Sequence, residues 1–507
     1  MSSSTPPATG PGLPKSQKIW TVFAVNLSIL MATLDMSIVN VSLPTLVSDL
    51  DTDFATIQWV VLSYILVITC MILSVARLGD MLGKKKLYMW GVLGFSLGSL
   101  ACGLSPTVEC LIAARALQGV GAVFTQALGA AIIAESVPRH ELGRAMGVVG
   151  STVSLGLAAG PSLGGLIIGA FGWPWLFLIN VPLGALTLFI AWRVIPELPP
   201  HKTGQRFDVP GGIILFVTLG CYALAMTWGQ NAGFGQTWVL TLLATSGVGL
   251  VAFLITEFRV SQPMIDPKLF RGSLIGLNLL MGVLVFIGLA GYFVVPFYLE
   301  LAQGYAVEEM GLLMMVVPLC MGILSPPAGI LADRFGSRWV SLLGILVMLC
   351  GALAMSTLKP DTPWWGFVLR VAPYGLGLGL FQAPNNTAIM GQAPPERRGV
   401  VSGLLSYSRT FGQSTGLPLV GAIYTAYVLA SLAGTGVDAS GTDFTQATPQ
   451  ALTHALNNAY LIMSAFLLLP LGLAVLCLVL DPKGTKGRSP GPARGSVPAT
   501  AHKQDAS

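Results

Sequence analysis

This chain has very little charge. Only 10% of its 507 residues are Asp, Glu, Lys or Arg, while 53% are hydrophobic and the mean hydropathy is +0.74. A soluble domain carries roughly a quarter of its residues as charges, so the composition excludes a water-soluble globular protein. Histidine is scarce as well. His140, His201, His454 and His502 all fall in expected loops or tails, which withholds the usual material of a buried catalytic or metal site. The seven cysteines, Cys70, Cys102, Cys110, Cys221, Cys320, Cys350 and Cys477, show no paired spacing. They read as small apolar fillers, with no disulfide framework and no metal cluster expected. With no credible nucleophile–base pair, no cofactor is implied and the chain does not read as an enzyme.

Long apolar runs take the place of charge. A helix rises about 1.5 Å per residue and needs about 20 apolar residues to cross roughly 30 Å of hydrocarbon. Fourteen charge-poor runs reach that length, from about 18–40 to about 457–480. Of the 27 Lys and Arg, 23 fall in segments on the side of the N-terminus, Lys359 falls on the other, and Arg115, Arg370 and Arg409 fall within runs. Positive charge collects on the cytoplasmic side, so both termini are expected there, in a bacterial-type inner membrane. The net charge of +5 is then a matter of topology, and no nucleic-acid partner is expected. Residues 1–17 and 482–507, rich in Ser, Pro, Gly and bases, read as disordered cytoplasmic tails without a cleaved signal.

The chain also repeats itself. Ala76–Lys85, with Asp80, Gly83, Lys84 and Lys85, recurs 253 residues later as Gly329–Arg338, with Asp333, Arg334, Gly336 and Arg338. Arg115 recurs as Arg370 and Glu141 as Glu396, both at an offset of 255. Parallel repetition in an apolar chain points to two bundles that rock about a shared centre. The offset leaves 197–272 unmatched, which predicts a six-helix bundle at 18–196, a cytoplasmic linker with two additional helices at 197–272, and a second six-helix bundle at 273–481.

The motifs resemble those of the major facilitator superfamily, and within it the fourteen-span drug–proton antiporters of the multidrug efflux type. Leu34-Asp35-x-x-Ile38-Val39-Asn40-Val41-x-Leu43-Pro44 is similar to the first-span motif, Gln58-Trp59-Val60 with Tyr64 to the second span, and Ala76–Lys85 to the superfamily loop motif. Arg115-x-x-Gln118-Gly119-x-Gly121 resembles the fourth-span motif, and Gly156-x-x-x-Gly160-Pro161-x-x-Gly164-Gly165 the antiporter motif of the fifth. The chain departs from the pattern at Ala76, Met81, Pro174 and Glu300. The resemblance implies an all-α polytopic membrane protein with the major facilitator fold, two six-helix bundles plus two inserted helices, and a glycine-rich fifth span that seals the halves against leak.

The residues suggest roles. Asp35 lies midway along the first run, where an ionised carboxylate costs about 2.5–3.5 kcal/mol, so it is either an interhelical tether or a proton-coupling or cation-binding group. Arg115 is its natural partner, with Gln118 and Gln126 following at helical spacing; a purely structural ion pair is the alternative. Ser402, Ser406, Arg409 and Gln413 form a second polar stripe. Met31, Gln58, Gln118, Gln126, Arg409 and Gln413 are the candidates to line a central cavity. The two loop motifs are expected to gate the cytoplasmic side by bridging the halves, or simply to anchor it. No cluster of bases suits a polyanion and no dense polar set suits a sugar, so a lipophilic and cationic small molecule, exchanged for protons across the lipid bilayer by a monomer, is expected. Export of one endogenous metabolite, lipid or siderophore is the alternative within transport, and a membrane sensor or scaffold is the alternative outside it.

Overall fold

The computed structural model describes residues 14–137, 139–197, 208–233, 235–260, 274–392, 398–432 and 447–480. No strand occurs among them. The expected tails lie outside the described residues except at 14–17, where Lys15 already begins the first helix and the Gln17 amide donates to the Val194 carbonyl at 3.1 Å. That bond ties the chain entry to the bundle, so these residues are helix and not tail.

The first bundle comprises α1 (Lys15–Asp49), α2 (Phe54–Leu82), α3 (Lys84–Gly103), α4 (Val108–Ser136), α5 (Arg139–Phe171), α6 (Pro174–Leu178) and α7 (Asn180–Val194). Two inserted helices follow, α8 (Val209–Ala232) and α9 (Thr237–Arg259). The second bundle holds α10 (Ile275–Leu289), which runs on through a 3-10 turn, α11 (Val295–Phe297) and a π turn at Tyr298–Ala302. It continues with α12 (Val307–Met314), α13 (Val316–Phe335), α14 (Ser337–Met355), α15 (Trp364–Gln392), α16 (Arg398–Leu432) and α17 (Pro449–Leu480). Three of the fourteen charge-poor runs, at about 174–195, 273–299 and 310–331, are therefore broken rods, interrupted at Ile179, beyond Leu289 and at Met315. Pro182, Pro296 and Pro318 each remove the backbone hydrogen bond to the carbonyl four residues earlier, which accounts for the breaks.

Ten stretches among the described residues are long and apolar enough to cross a membrane, and Leu155–Phe171 and Pro210–Met226 are shorter apolar helices. The count of fourteen is thus not reached on hydropathy alone. The helices α3 and α15 fill the other two expected spans, with glycine, proline and lysine diluting their hydropathy.

The repeat is visible in the backbone. Gly83 and Gly336, which join α2 to α3 and α13 to α14, have φ, ψ of 92°, 141° and 93°, 138°. An L side chain rarely adopts that conformation, so glycine in both copies has a steric reason. The α3–α4 and α14–α15 pairs cross equally closely. A Cβ on Gly121 would meet the Phe95 backbone, and one on Gly377 would meet the Met348 backbone. Gly98 faces Gln118, as Gly351 faces Tyr374. These pairings correct the expected register: the fourth helix repeats at an offset of 256, so the counterpart of Arg115 is the buried Val371, not Arg370. Arg370 is half-buried and donates to Thr357 Oγ1 at 3.1 Å and to the Gly366 carbonyl at 2.9 Å. The connection before α15, longer than the one before α4, carries the offset from 253 in the preceding helix to 256, one more than the expected 255. Glu396 lies outside the described residues.

Gly121→Ala and Gly377→Ala should each destabilise the protein by about 1–3 kcal/mol, the usual cost of overpacking. Thermal unfolding of the purified variants measures this, and an unchanged midpoint for both would contradict the close crossings.

Candidate functional site

Asp35 is 1% exposed and Arg115 is fully buried. A carboxylate and a guanidinium withdrawn this far from water persist only if each is matched. The structure matches them within the first bundle. Arg115 Nη1 donates to Asp35 Oδ2 at 2.6 Å and to Gln118 Oε1 at 2.6 Å, and its Nε donates to the Val60 carbonyl at 2.9 Å. Gln118 Nε2 donates to Asp35 Oδ1 at 2.8 Å and to Ser99 Oγ at 2.6 Å. Asn180 Nδ2 donates to the same Oδ1 at 2.9 Å. The guanidinium carbon sits 4.2 Å from the Tyr64 ring centre and 5.7 Å from that of Phe177, so the rings cover the cation. Five helices, α1, α2, α3, α4 and α7, thus converge on one carboxylate and its partner. Among the described residues Arg115 Nη2 has no hydrogen-bond partner.

Asn180 and Ser99 are members of this network that composition did not single out. For Asn180 the available signal was a lone amide in an apolar run; Ser99 offered none.

Other candidates fall in several places. Gln118 is wholly inside the network, and Met31 is buried against Gly184. Gln58 is buried with its amide against Gly421 of α16, at the seam between the bundles. Gln126 is exposed beside the Tyr64 hydroxyl. Arg409 and Gln413 are half-buried on α16. Lys84 pairs with Glu135 at 2.8 Å and Lys85 with Glu197 at 3.7 Å, both within the first bundle. Arg334 is exposed and Arg338 buried; the helices carrying Asp80 and Asp333 are described, but their side chains are not.

The glycine-rich fifth helix has two working faces. Gly156, Gly160 and Gly164 sit on α1, against Thr33, Ser37 and Ile38, and Ser37 Oγ donates to the Leu157 carbonyl at 3.0 Å. Pro161, Gly165 and Gly169 instead meet Gly311, Val307 and Glu308 of α12, in the other bundle. The same end of the molecule, opposite Gly83 and Gly336, is closed by Phe54. Its buried ring is 4.7 Å from that of Phe297, 5.8 Å from Phe293 and 5.9 Å from Tyr424, all in the second bundle.

Two parallel bundles, a repeated glycine reversal and an ion pair inside the first bundle set the frame for comparison with known proteins. The model of the Major Facilitator Superfamily matches residues 25–293 and 279–504. The chain belongs to that superfamily. It is 32% identical over 401 residues to the riboflavin transporter RibZ of Clostridioides difficile, covering 79% of this chain and 87% of that one. It is 32% identical over 421 residues to the multidrug resistance protein Stp of Mycobacterium tuberculosis, covering 82% and 77%. A bacterial homologue of the human lysosomal transporter Spinster, solved inward-facing and unoccupied, has the same fold with a TM-score of 0.66 at 17% identity, covering 94% of this chain and all of that one. The protein is accordingly a multi-pass membrane transporter of the superfamily and not an enzyme.

Asp35→Ala should cost about 3–5 kcal/mol because it strands a buried guanidinium. Asp35→Leu combined with Arg115→Met should recover most of that loss. Thermal unfolding of the single and double variants tests it; a double variant no more stable than the single one would mean the pair is not the matched unit described here.

Proposed function

We propose that the chain is a drug–proton antiporter of the fourteen-span type, which exports lipophilic compounds across a bacterial-type inner membrane by alternating access, with both termini cytoplasmic. The observation that carries this reading is the enclosed circuit of Asp35, Arg115, Gln118 and Asn180. A proton placed on Asp35 cancels its charge and leaves Arg115, fully buried, a cation without a counter-ion. The first bundle must then rearrange or release the proton, which is the property a coupling group needs.

The closed end at Phe54 and Gly165 is the periplasmic end in this reading, so the conformation faces the cytoplasm. The ion pairs of Lys84 and Lys85 within the first bundle are compatible with cytoplasmic ends that stand apart. Energetically one proton suffices for a neutral cargo. About 2.3 kcal/mol per charge per 100 mV, with roughly 1.4 kcal/mol per pH unit, supports a gradient of order hundreds-fold. A second reading, carriage of one defined metabolite, draws on the likeness to a protein named as a riboflavin transporter.

Energised cells producing the chain should expel several members of a panel of lipophilic dyes that differ in charge, and a protonophore should abolish the export. Asp35→Asn should lower energised efflux by about tenfold or more while the protein still reaches the membrane. Full efflux by that variant would refute the coupling role, and export of one dye alone would favour the defined-metabolite reading. Gly165→Leu should block transport separately, because its side chain would enter the α12 backbone where the halves close; retention of wild-type rates would sink the seal.

A further inference from the structure

Arg409 is a charge inside the bundles that the ion-pair network does not use. It lies on α16 eleven residues beyond Arg398, about 16 Å along the helix. Neighbouring positions show where it points. Gly412 and Gly416 pack on α10 at Val283, Phe286, Ile287 and Ala290. Tyr407 and Phe411 stack on each other and join the apolar cluster of Cys70 on α2 and Leu215 on α8. Gly421, on the α2 side, receives Gln58. At about 100° per residue, position 409 falls between the α10 face and the α2 face and away from α8, with Ser406 and Gln413 beside it. That direction is the space between the two bundles.

Among the described residues Arg409 makes no hydrogen bond or ion pair, and no carboxylate acts on it. The contrast with Arg115 is chemical: one guanidinium is paired with an internal carboxylate, and the other reaches the central space without one. A guanidinium in an apolar wall is costly unless water or an anion faces it, and its planar fork fits a carboxylate with two parallel hydrogen bonds.

We propose that Arg409 anchors the cargo through an oxyanion, a carboxylate or a delocalised enolate of comparable geometry, so that the substrates are lipophilic acids. This rests on the transport reading above and replaces the cation expected from composition, where the lack of clustered bases concealed the weight of a single unpaired one. Ser406 and Gln413 supply adjacent polar groups. The charge of the cargo also alters the energetics: exporting a monoanion against one entering proton moves two charges with the membrane potential, each equivalent to about 50-fold in gradient per 100 mV. A monocation exchanged one for one gains nothing from that potential.

The test uses the purified full chain, with anthracene-9-carboxylate and its methyl ester as probes. Wild type should bind the acid about tenfold more tightly than the ester, a preference worth one charge-assisted contact. Arg409→Gln should abolish the preference and Arg409→Lys should keep part of it, both eluting as monodisperse protein. In proteoliposomes an inside-negative potential should raise export of the acid. Equal binding of acid and ester by wild type, or a preference that survives in a well-folded Arg409→Gln, overturns the proposal. Ethidium moved by a proton gradient with no acid bound overturns it too, and leaves proton-coupled export standing. Arg409-dependent binding of the acid with no solute moved against a proton gradient upholds the anchor and sinks the antiport.

Discussion

A carboxylate and a guanidinium hidden from water govern the first bundle. The attraction of two opposite charges in a low-dielectric interior is large, but so is the cost of dehydrating them, and the balance turns on whether every remaining donor and lone pair is met. Asp35 meets donors from α4 and α7, while Arg115 meets a backbone carbonyl of α2 and two aromatic rings. Each of these contacts requires a helix at a fixed height and rotation. The glycine crossings serve that demand: Gly98 lets α3 approach the Gln118 backbone closely enough for Ser99 to accept from the Gln118 amide.

The second bundle repeats the geometry and replaces the charge. Tyr374 stands where Gln118 stands in the first bundle, and its hydroxyl donates at 2.6 Å to the carbonyl of Gly288 on α10. Tyr460 meets Tyr374 edge-on at 6.1 Å. A neutral hydroxyl on a backbone carbonyl does the same joining work between helices without any group that can take up a proton at ordinary pH. Duplication therefore supplied two similar scaffolds, and substitution placed the ionisable pair in one of them. The inserted helices α8 and α9 lie outside this symmetry; α8 packs on both α2 and α16, along one seam between the halves.

The parts legible in the sequence were those where a residue type is costly in its setting. An acid or a base in an apolar run demands an explanation, so Asp35 and Arg115 stood out, and the doubled reversal at Gly83 and Gly336 announced itself by repetition. Ser99 did not, because a serine in a membrane helix can satisfy itself on its own turn, as Ser28 and Ser42 do here. Met31 and Gln58 show a different limit. In helices apolar on every side, periodicity does not distinguish the face toward a neighbouring helix from the face toward a cavity, and both side chains pack against glycine. Arg370 shows a third, since one extra residue of register turns a helix by about 100° and moves a side chain from the interior to the rim.

The two faces of α5 connect the ion pair to the seam. Thr33, Ser37 and Ile38, the residues of α1 that receive Gly156, Gly160 and Gly164, flank Asp35 on the same helix. The opposite side of α5 presents Pro161 and Gly165 to α12, backbone against backbone. Contacts without side chains between them leave little room to absorb a displacement, because close-packed interiors switch between arrangements instead of yielding continuously. In the proposed cycle, a shift of α1 when Asp35 changes charge is therefore carried by α5 as a rigid body to the line where the halves meet. The glycines of the fifth helix then have one physical task in both settings: they keep the lever stiff by removing the compliant side chains that would otherwise take up the motion.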